Sequence, residues 1–153
     1  MDFVLNLPTI QAPQRTQQGK TLIYDVVRKK YVALTPEEWV RQHWLHFLIG
    51  HLQYPAGMIA VERGVKFLSI QRRADVVVYN KHFKPLLIIE CKAPQVGINQ
   101  QTFDQIARYN MTLQVPYLVV SNGIDHFCCK IDHHQKSYRF ISEIPAYPEL
   151  AFG

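Results

Sequence analysis

Asp75, Glu90 and Lys92 are the residues whose types and spacing best suit them to chemistry. Asp75 interrupts an otherwise apolar run, Ala74-Asp75-Val76-Val77-Val78-Tyr79, and Glu90-Cys91-Lys92 follows the aliphatics Leu86-Leu87-Ile88-Ile89. Residues two apart on a strand share a face, so Glu90 and Lys92 point to one side and Cys91 to the other. If the two runs pair across residues 80–85, Asp75 lies beside them. Two carboxylates and an ammonium then converge at one edge of a mostly apolar sheet. Unpaired carboxylates are costly there, so they need a cation or a neutralising partner. Hard oxygen donors favour Mg²⁺ or Mn²⁺, which keep several waters and contact phosphate oxygens. Such an ion polarises a phosphate and acidifies a bound water, with Lys92 placed to position that water, stabilise charge or help deprotonate it. The bland alternative is a structural ion-pair cluster of the same groups.

The elements that must position these residues are legible in outline. Residues 1–20, with Pro8, Pro13, Gly19 and a polar run, read as an extended arm. Thr21 to Asp25 and Tyr31 to Leu34 suit a β-ribbon at the edge of the fold. A helix should start at Thr35-Pro36-Glu37-Glu38, with Thr35 as N-cap, Pro36 at the first position and Glu38 completing a capping box. Val40, Trp44, Phe47, Leu48 and His51 form one stripe, and the helix should stop before Pro55. Three strands follow, Met58 to Val65, Arg73 to Tyr79 and Leu86 to Cys91, the last apolar at every early position as in a strand covered on both faces. Asn99 to Leu113 suits a second helix, and Tyr117 to Ser121 a further buried strand. Asn122-Gly123 is a turn from which Ile124 to Ile131 pairs back, and Tyr138 to Ile141 adds an edge strand. The result is an α/β sandwich with a mixed central sheet and a helix on each side.

Composition narrows the function classes. At 153 residues and 48% hydrophobic the chain suits one ordinary domain. No run approaches the ~18 apolar residues of a membrane span, and the N-terminus lacks signal-peptide features. Three cysteines, two of them adjacent, make neither a disulfide framework nor a zinc motif, so a reducing cytoplasm is expected. Seventeen Lys and Arg against 12 acids give a net charge of +5, which favours polyanions such as nucleic acid. Arg72 and Arg73 flank the acidic site and are candidates for phosphate contacts, as are Lys66 and Arg63, with Arg28-Lys29-Lys30 a solvated charged turn or a further contact.

Asp75 followed by Glu90-Cys91-Lys92 resembles the PD-(D/E)XK nuclease signature. The surrounding segments Thr35-Pro36-Glu37-Glu38-Trp39-Val40-Arg41-Gln42-His43, Arg73-Ala74-Asp75-Val76-Val77-Val78-Tyr79, Glu90-Cys91-Lys92-Ala93-Pro94 and Phe103-Asp104-Gln105-Ile106-Ala107-Arg108-Tyr109-Asn110 widen the likeness. Together they resemble the N-terminal nuclease domain of type I restriction enzyme R subunits, in a small stand-alone bacterial form. The match runs from about Tyr24 to Ile144. It implies a restriction-endonuclease-like fold over 21–145, between the arm and a 146–153 tail, and Mg²⁺- or Mn²⁺-dependent endonuclease cleavage of DNA.

By position the resemblance makes Asp75 and Glu90 metal carboxylates, with the Cys91 backbone carbonyl as a further ligand and Lys92 as the catalytic lysine. It also places a glutamate on the first helix. Glu37 is the better candidate, because it lies in line with Val40, Trp44 and Leu48, and Glu38 is explained as the capping partner. Gln105 and Tyr109, four apart on the second helix, match a Gln-x-x-x-Tyr element, with Gln105 orienting the site or the DNA backbone and Tyr109 supporting it. Ala74 stands where the signature has proline. The rival reading is a catalytically silent nucleic-acid-binding or assembly module of the same fold that needs a partner, since no motor accompanies it. A homodimer is a further possibility.

His43 and His46 lack further zinc ligands, and His133-His134 reads as a solvated loop. Cys128 and Cys129 should point to opposite sheet faces and be buried. No phosphate-cradling glycine loop or serine-nucleophile motif is present.

Overall fold

The structure, a computed structural model, describes residues 4–67 and 70–147, with the side chains of 65–72 outside the description. Expectations resting on the Lys66 and Arg72 side chains, and on the tail beyond 147, therefore lie outside the described residues.

Three short strands, β1 (Gln14–Gln17), β2 (Lys20–Asp25) and β3 (Lys30–Ala33), form an antiparallel ribbon in that order. Part of the expected arm is thus a strand, with Gly19 at φ +77° in its first turn. Leu5 is buried, and the Asn6 amide donates to the Gly123 carbonyl at 2.8 Å, so the start of the arm packs on the main body.

Helix α1 (Pro36–Gly50) begins where its cap requires: the Thr35 hydroxyl accepts from the Glu38 amide at 3.0 Å. Strands β4 (Ile59–Phe67), β5 (Ile70–Tyr79) and β6 (Pro85–Cys91) form an antiparallel meander. Helix α2 (Gln100–Met111), capped by Asn99, then carries the chain back to β7 (Tyr117–Ser121), which lies parallel to β6. Parallel neighbours need such a crossover. β8 (His126–Asp132) and β9 (Ser137–Ile141) complete a six-stranded sheet ordered β4-β5-β6-β7-β8-β9.

Alternation along the central strands divides the core in two. Val76, Val78, Leu87 and Ile89 face Val40, Trp44, Leu45 and Leu48 of α1. Val77, Ile88, Leu118 and Val120 face Phe103 and Ala107 of α2. Burying aliphatics on both faces explains why β6 reads as an uninterrupted apolar run. Cys128 and Cys129 go to opposite faces, and burial pushes their thiols up to about 11 and about 12. The result is the expected restriction-endonuclease-like α/β sandwich, a mixed sheet flanked by helices.

Candidate functional site

The β5–β6 ladder is continuous from Val76↔Ile89 to Val78↔Leu87, and Asp75 and Glu90 are the next residues beyond its end. There the strands give way to side-chain contacts. The Cys91 amide donates to Asp75 Oδ2 at 2.8 Å, and the Asp75 carboxylate is close enough to Glu90 to raise its proton affinity. Burial first, then the Asp75 charge, pushes Glu90 up to about 8, with Lys92 pulling the other way. Near neutral pH Glu90 therefore holds a proton.

Glu90 and Lys92 line an open cavity of about 420 Å³ together with Arg73, Gln105 and Tyr109. Strand parity puts the first pair on one face, and the i, i+4 spacing on α2 puts the last pair opposite them. Five of the residues singled out in the sequence thus surround one space. Arg73 is 72% exposed and also bonds Glu62 at 3.2 Å.

The first helix departs from expectation. Glu38, read as a capping partner, is the buried glutamate; Glu37, read as inward, is 48% exposed. Glu38 accepts from Arg28 at 2.9 Å, Arg41 at 3.1 Å and Gln42 at 3.1 Å. The reason is a second buried stripe, Glu38, Arg41, Gln42 and Leu45, beside the apolar one. The ribbon packs against that face, where Gln42 donates to the fully buried Asp25 at 2.9 Å. Arg28 is correspondingly no solvated turn residue: it pairs with Asp25, Glu38 and Glu62. Glu37 still feels the site, since burial and then the Asp75 charge raise its carboxyl, while Arg41 and Lys92 lower it.

Arg41 was not among the candidates, nor was Glu62. The buried Arg41 guanidinium meets Glu38 at 3.1 Å, Glu62 at 3.3 Å, Asp75 at 3.5 Å and Glu37 at 3.6 Å. Glu62 lies between Val61↔Val76 and Arg63↔Ala74, across from Asp75, with φ +52°. Only its place in a strand opposite Asp75 could have marked it.

The hard-oxygen donors fit a divalent cation only as a pair. Asp75 and Glu90 lie just beyond the same end of the β5–β6 ladder, and Mg²⁺ is commonly held by one or two carboxylates plus waters and phosphates. Among the described residues no group of three or more His, Cys, Asp or Glu side chains is gathered to hold a metal. The three-carboxylate set with Glu37 is therefore not assembled. Arg41 supplies the positive charge on the Asp75 side instead.

A family model described as "Type I restriction enzyme R protein N terminus (HSDR_N)" matches residues 36–145. Among solved structures, a fragment described as an HsdR subunit of a type I restriction enzyme from Vibrio vulnificus YJ016 aligns at TM-score 0.51 and 20% identity. The alignment covers 79% of this chain but 25% of that one, so this chain spans about a quarter of its length. At that identity the likeness establishes the fold alone. No curated protein matches. No helix among the described residues is long and apolar enough to cross a membrane. With its capped first helix, its acidic strand pair and its second-helix face all inside the matched span, the chain belongs to the type I restriction enzyme R protein N-terminal family.

Proposed function

We propose that this chain is a nucleic-acid-binding module of the PD-(D/E)XK nuclease fold, catalytically silent by itself and dependent on a partner protein. The observation that carries this reading is the engagement of both Asp75 oxygens, Oδ1 by Arg41 at 3.5 Å and Oδ2 by the Cys91 amide at 2.8 Å. A carboxylate so held is a poor ligand until something draws Arg41 away. DNA is the ligand that a net charge of +5 favours, and Arg73 beside the 420 Å³ cavity is the described cation best placed for a phosphate. The partner is a motor or specificity polypeptide of a restriction–modification assembly, or a second copy of the chain. A cytoplasmic setting suits a DNA ligand and three free cysteines.

The test is purified protein with duplex DNA across a salt series, with Mg²⁺ or Mn²⁺ present. Binding that weakens linearly in log–log salt, with no strand scission, supports the module; no binding at low salt refutes it.

The Asp75–Glu90–Lys92 grouping favours a second reading, an Mg²⁺- or Mn²⁺-dependent DNA phosphodiester hydrolase. Asp75 and Glu90 would hold the ion, with the Cys91 carbonyl as a further ligand. When bound, it supplies Lewis acidity toward a phosphate and acidifies a water. Lys92, in the same cavity as Glu90, would steady the attacking water or the developing charge, and Gln105 and Tyr109 would orient the backbone from α2. Cleavage by the wild type that is lost in both Asp75→Ala and Lys92→Ala would establish this reading over the silent one.

A further inference from the structure

A second concavity lies away from the acidic cavity, between the ribbon turn, the edge strand β4 and the β5–β6 turn. Its volume is about 550 Å³, within the range of small-ligand sites. Cations and rings line it: Arg28, Arg63 and Lys81 with Tyr79 and Phe83, and no Asp or Glu among its described lining residues. Arg28 is committed to Asp25 and Glu38, which leaves Arg63 and Lys81 as the charges available to an anion.

Phe83 is the telling residue. The residue is 85% exposed, although the turn that carries it is well braced. Asn80 Oδ1 accepts from the His82 amide at 2.8 Å and the Lys84 amide at 3.0 Å, and the Phe83 amide donates to the Asn80 carbonyl at 2.9 Å. Phe83 itself has φ +60°, a region bulky side chains rarely adopt. The backbone thus carries strain that holds an aromatic residue in solvent on the same turn as Lys81. At the other end of the groove Arg63 pairs in register with Ala74, the residue before Asp75. From Tyr79 to Asp75 along β5 is about 13 Å.

We propose that this groove binds a single-stranded nucleic-acid segment, with a base stacked on Phe83 and phosphates on Lys81 and Arg63, and leads the strand toward the acidic site. The inference rests on the nucleic-acid reading above and names the form of the ligand. An acidic peptide would satisfy the cations but leave the ring without a planar partner. Base–aromatic stacking with a cationic track is the arrangement by which single strands are held without sequence preference.

The experiment is fluorescence anisotropy of the full chain with labelled oligothymidylate and with a blunt duplex of equal length. Variants are Phe83→Ala, Phe83→Tyr and Lys81→Glu, each checked for native melting. The expected result is about tenfold weaker oligothymidylate binding for Phe83→Ala, near-wild-type binding for Phe83→Tyr, and duplex affinity that Phe83→Ala leaves within twofold. Oligothymidylate binding by Phe83→Ala equal to wild type overturns the groove, as does equal loss on both probes. A wild type that holds the duplex but not oligothymidylate overturns the groove alone. One that holds neither overturns the nucleic-acid reading too.

Discussion

The Arg41 guanidinium lies 3.5 Å from the Asp75 carboxylate, so the acidic site carries its own cation in the folded chain. That cation comes from α1 and is shared with Glu38 and Glu62. Its position makes the site a balance of charges rather than an open nest of carboxylates.

Arg41→Met should remove this balance and destabilise by about 1–3 kcal/mol, because it takes a charged partner from the buried Glu38 and the half-buried Asp75. Added Mn²⁺ should then raise the melting temperature of the variant more than that of wild type, since a cation that binds only the folded state stabilises it. Melts with EDTA and with Mn²⁺ read both effects. An Arg41→Met protein as stable as wild type in EDTA would show that the guanidinium is incidental.

Glu90 sets a pH dependence. Its carboxyl titrates near 4.5 unfolded and is pushed up to about 8 in the native state. Between those values the native chain holds the extra proton, so this group makes stability fall as pH rises. Glu90→Gln should abolish the slope and gain on wild type by on the order of 3 kcal/mol between about pH 5 and pH 8. Urea unfolding in EDTA at the two pH values is the measurement, and parallel curves would contradict the assignment.

Asp25 should act in the opposite sense. Burial opposes its ionisation, but hydrogen bonds from Arg28 and Gln42 and the Arg28 charge outweigh burial and hold it below 3.8. Its stabilisation is present above the unfolded value and is lost as pH falls through the native one. Asp25→Asn should cost about 2–4 kcal/mol near pH 7 and converge on wild type in acid. The acid-unfolding midpoint of the two proteins checks this.

Gly123 closes the β7–β8 turn at φ +87°, and a Cβ there would come within 2.8 Å of Leu5 and 3.1 Å of Val40. Gly123→Ala should therefore destabilise by about 1–3 kcal/mol, through a strained backbone and the displaced Leu5. Truncating Leu5 to alanine in the same chain should recover part of the loss by relieving the contact. Equal melting of Gly123→Ala and wild type would count against the tight approach.

Much of this architecture was readable from local chemistry. The Thr35 cap, the aliphatic run Leu86-Leu87-Ile88-Ile89 of β6 and the Asn122-Gly123 turn each impose a conformation through their own local preferences. The Asp75, Glu90 and Lys92 grouping followed from strand parity and one short connection. The expectation that Glu37 faces inward and Glu38 does not came from reading α1 as having a single buried stripe. A helix covered by a sheet on one side and a ribbon on another has two, and the second is polar.

The sequence by itself determined where the strands after the arm lie, which side each central residue faces, and that two acids and a lysine would lie near one another. These follow from periodicities of two and 3.6 residues, which act over a few positions. Only the tertiary structure decided that Arg41 answers Asp75, that Glu62 sits across from it, and that Asp25 and Arg28 reach α1 from the ribbon. Those pairings join residues up to 34 positions apart, and buried charges find partners by proximity in the packed chain, a constraint that no local pattern encodes.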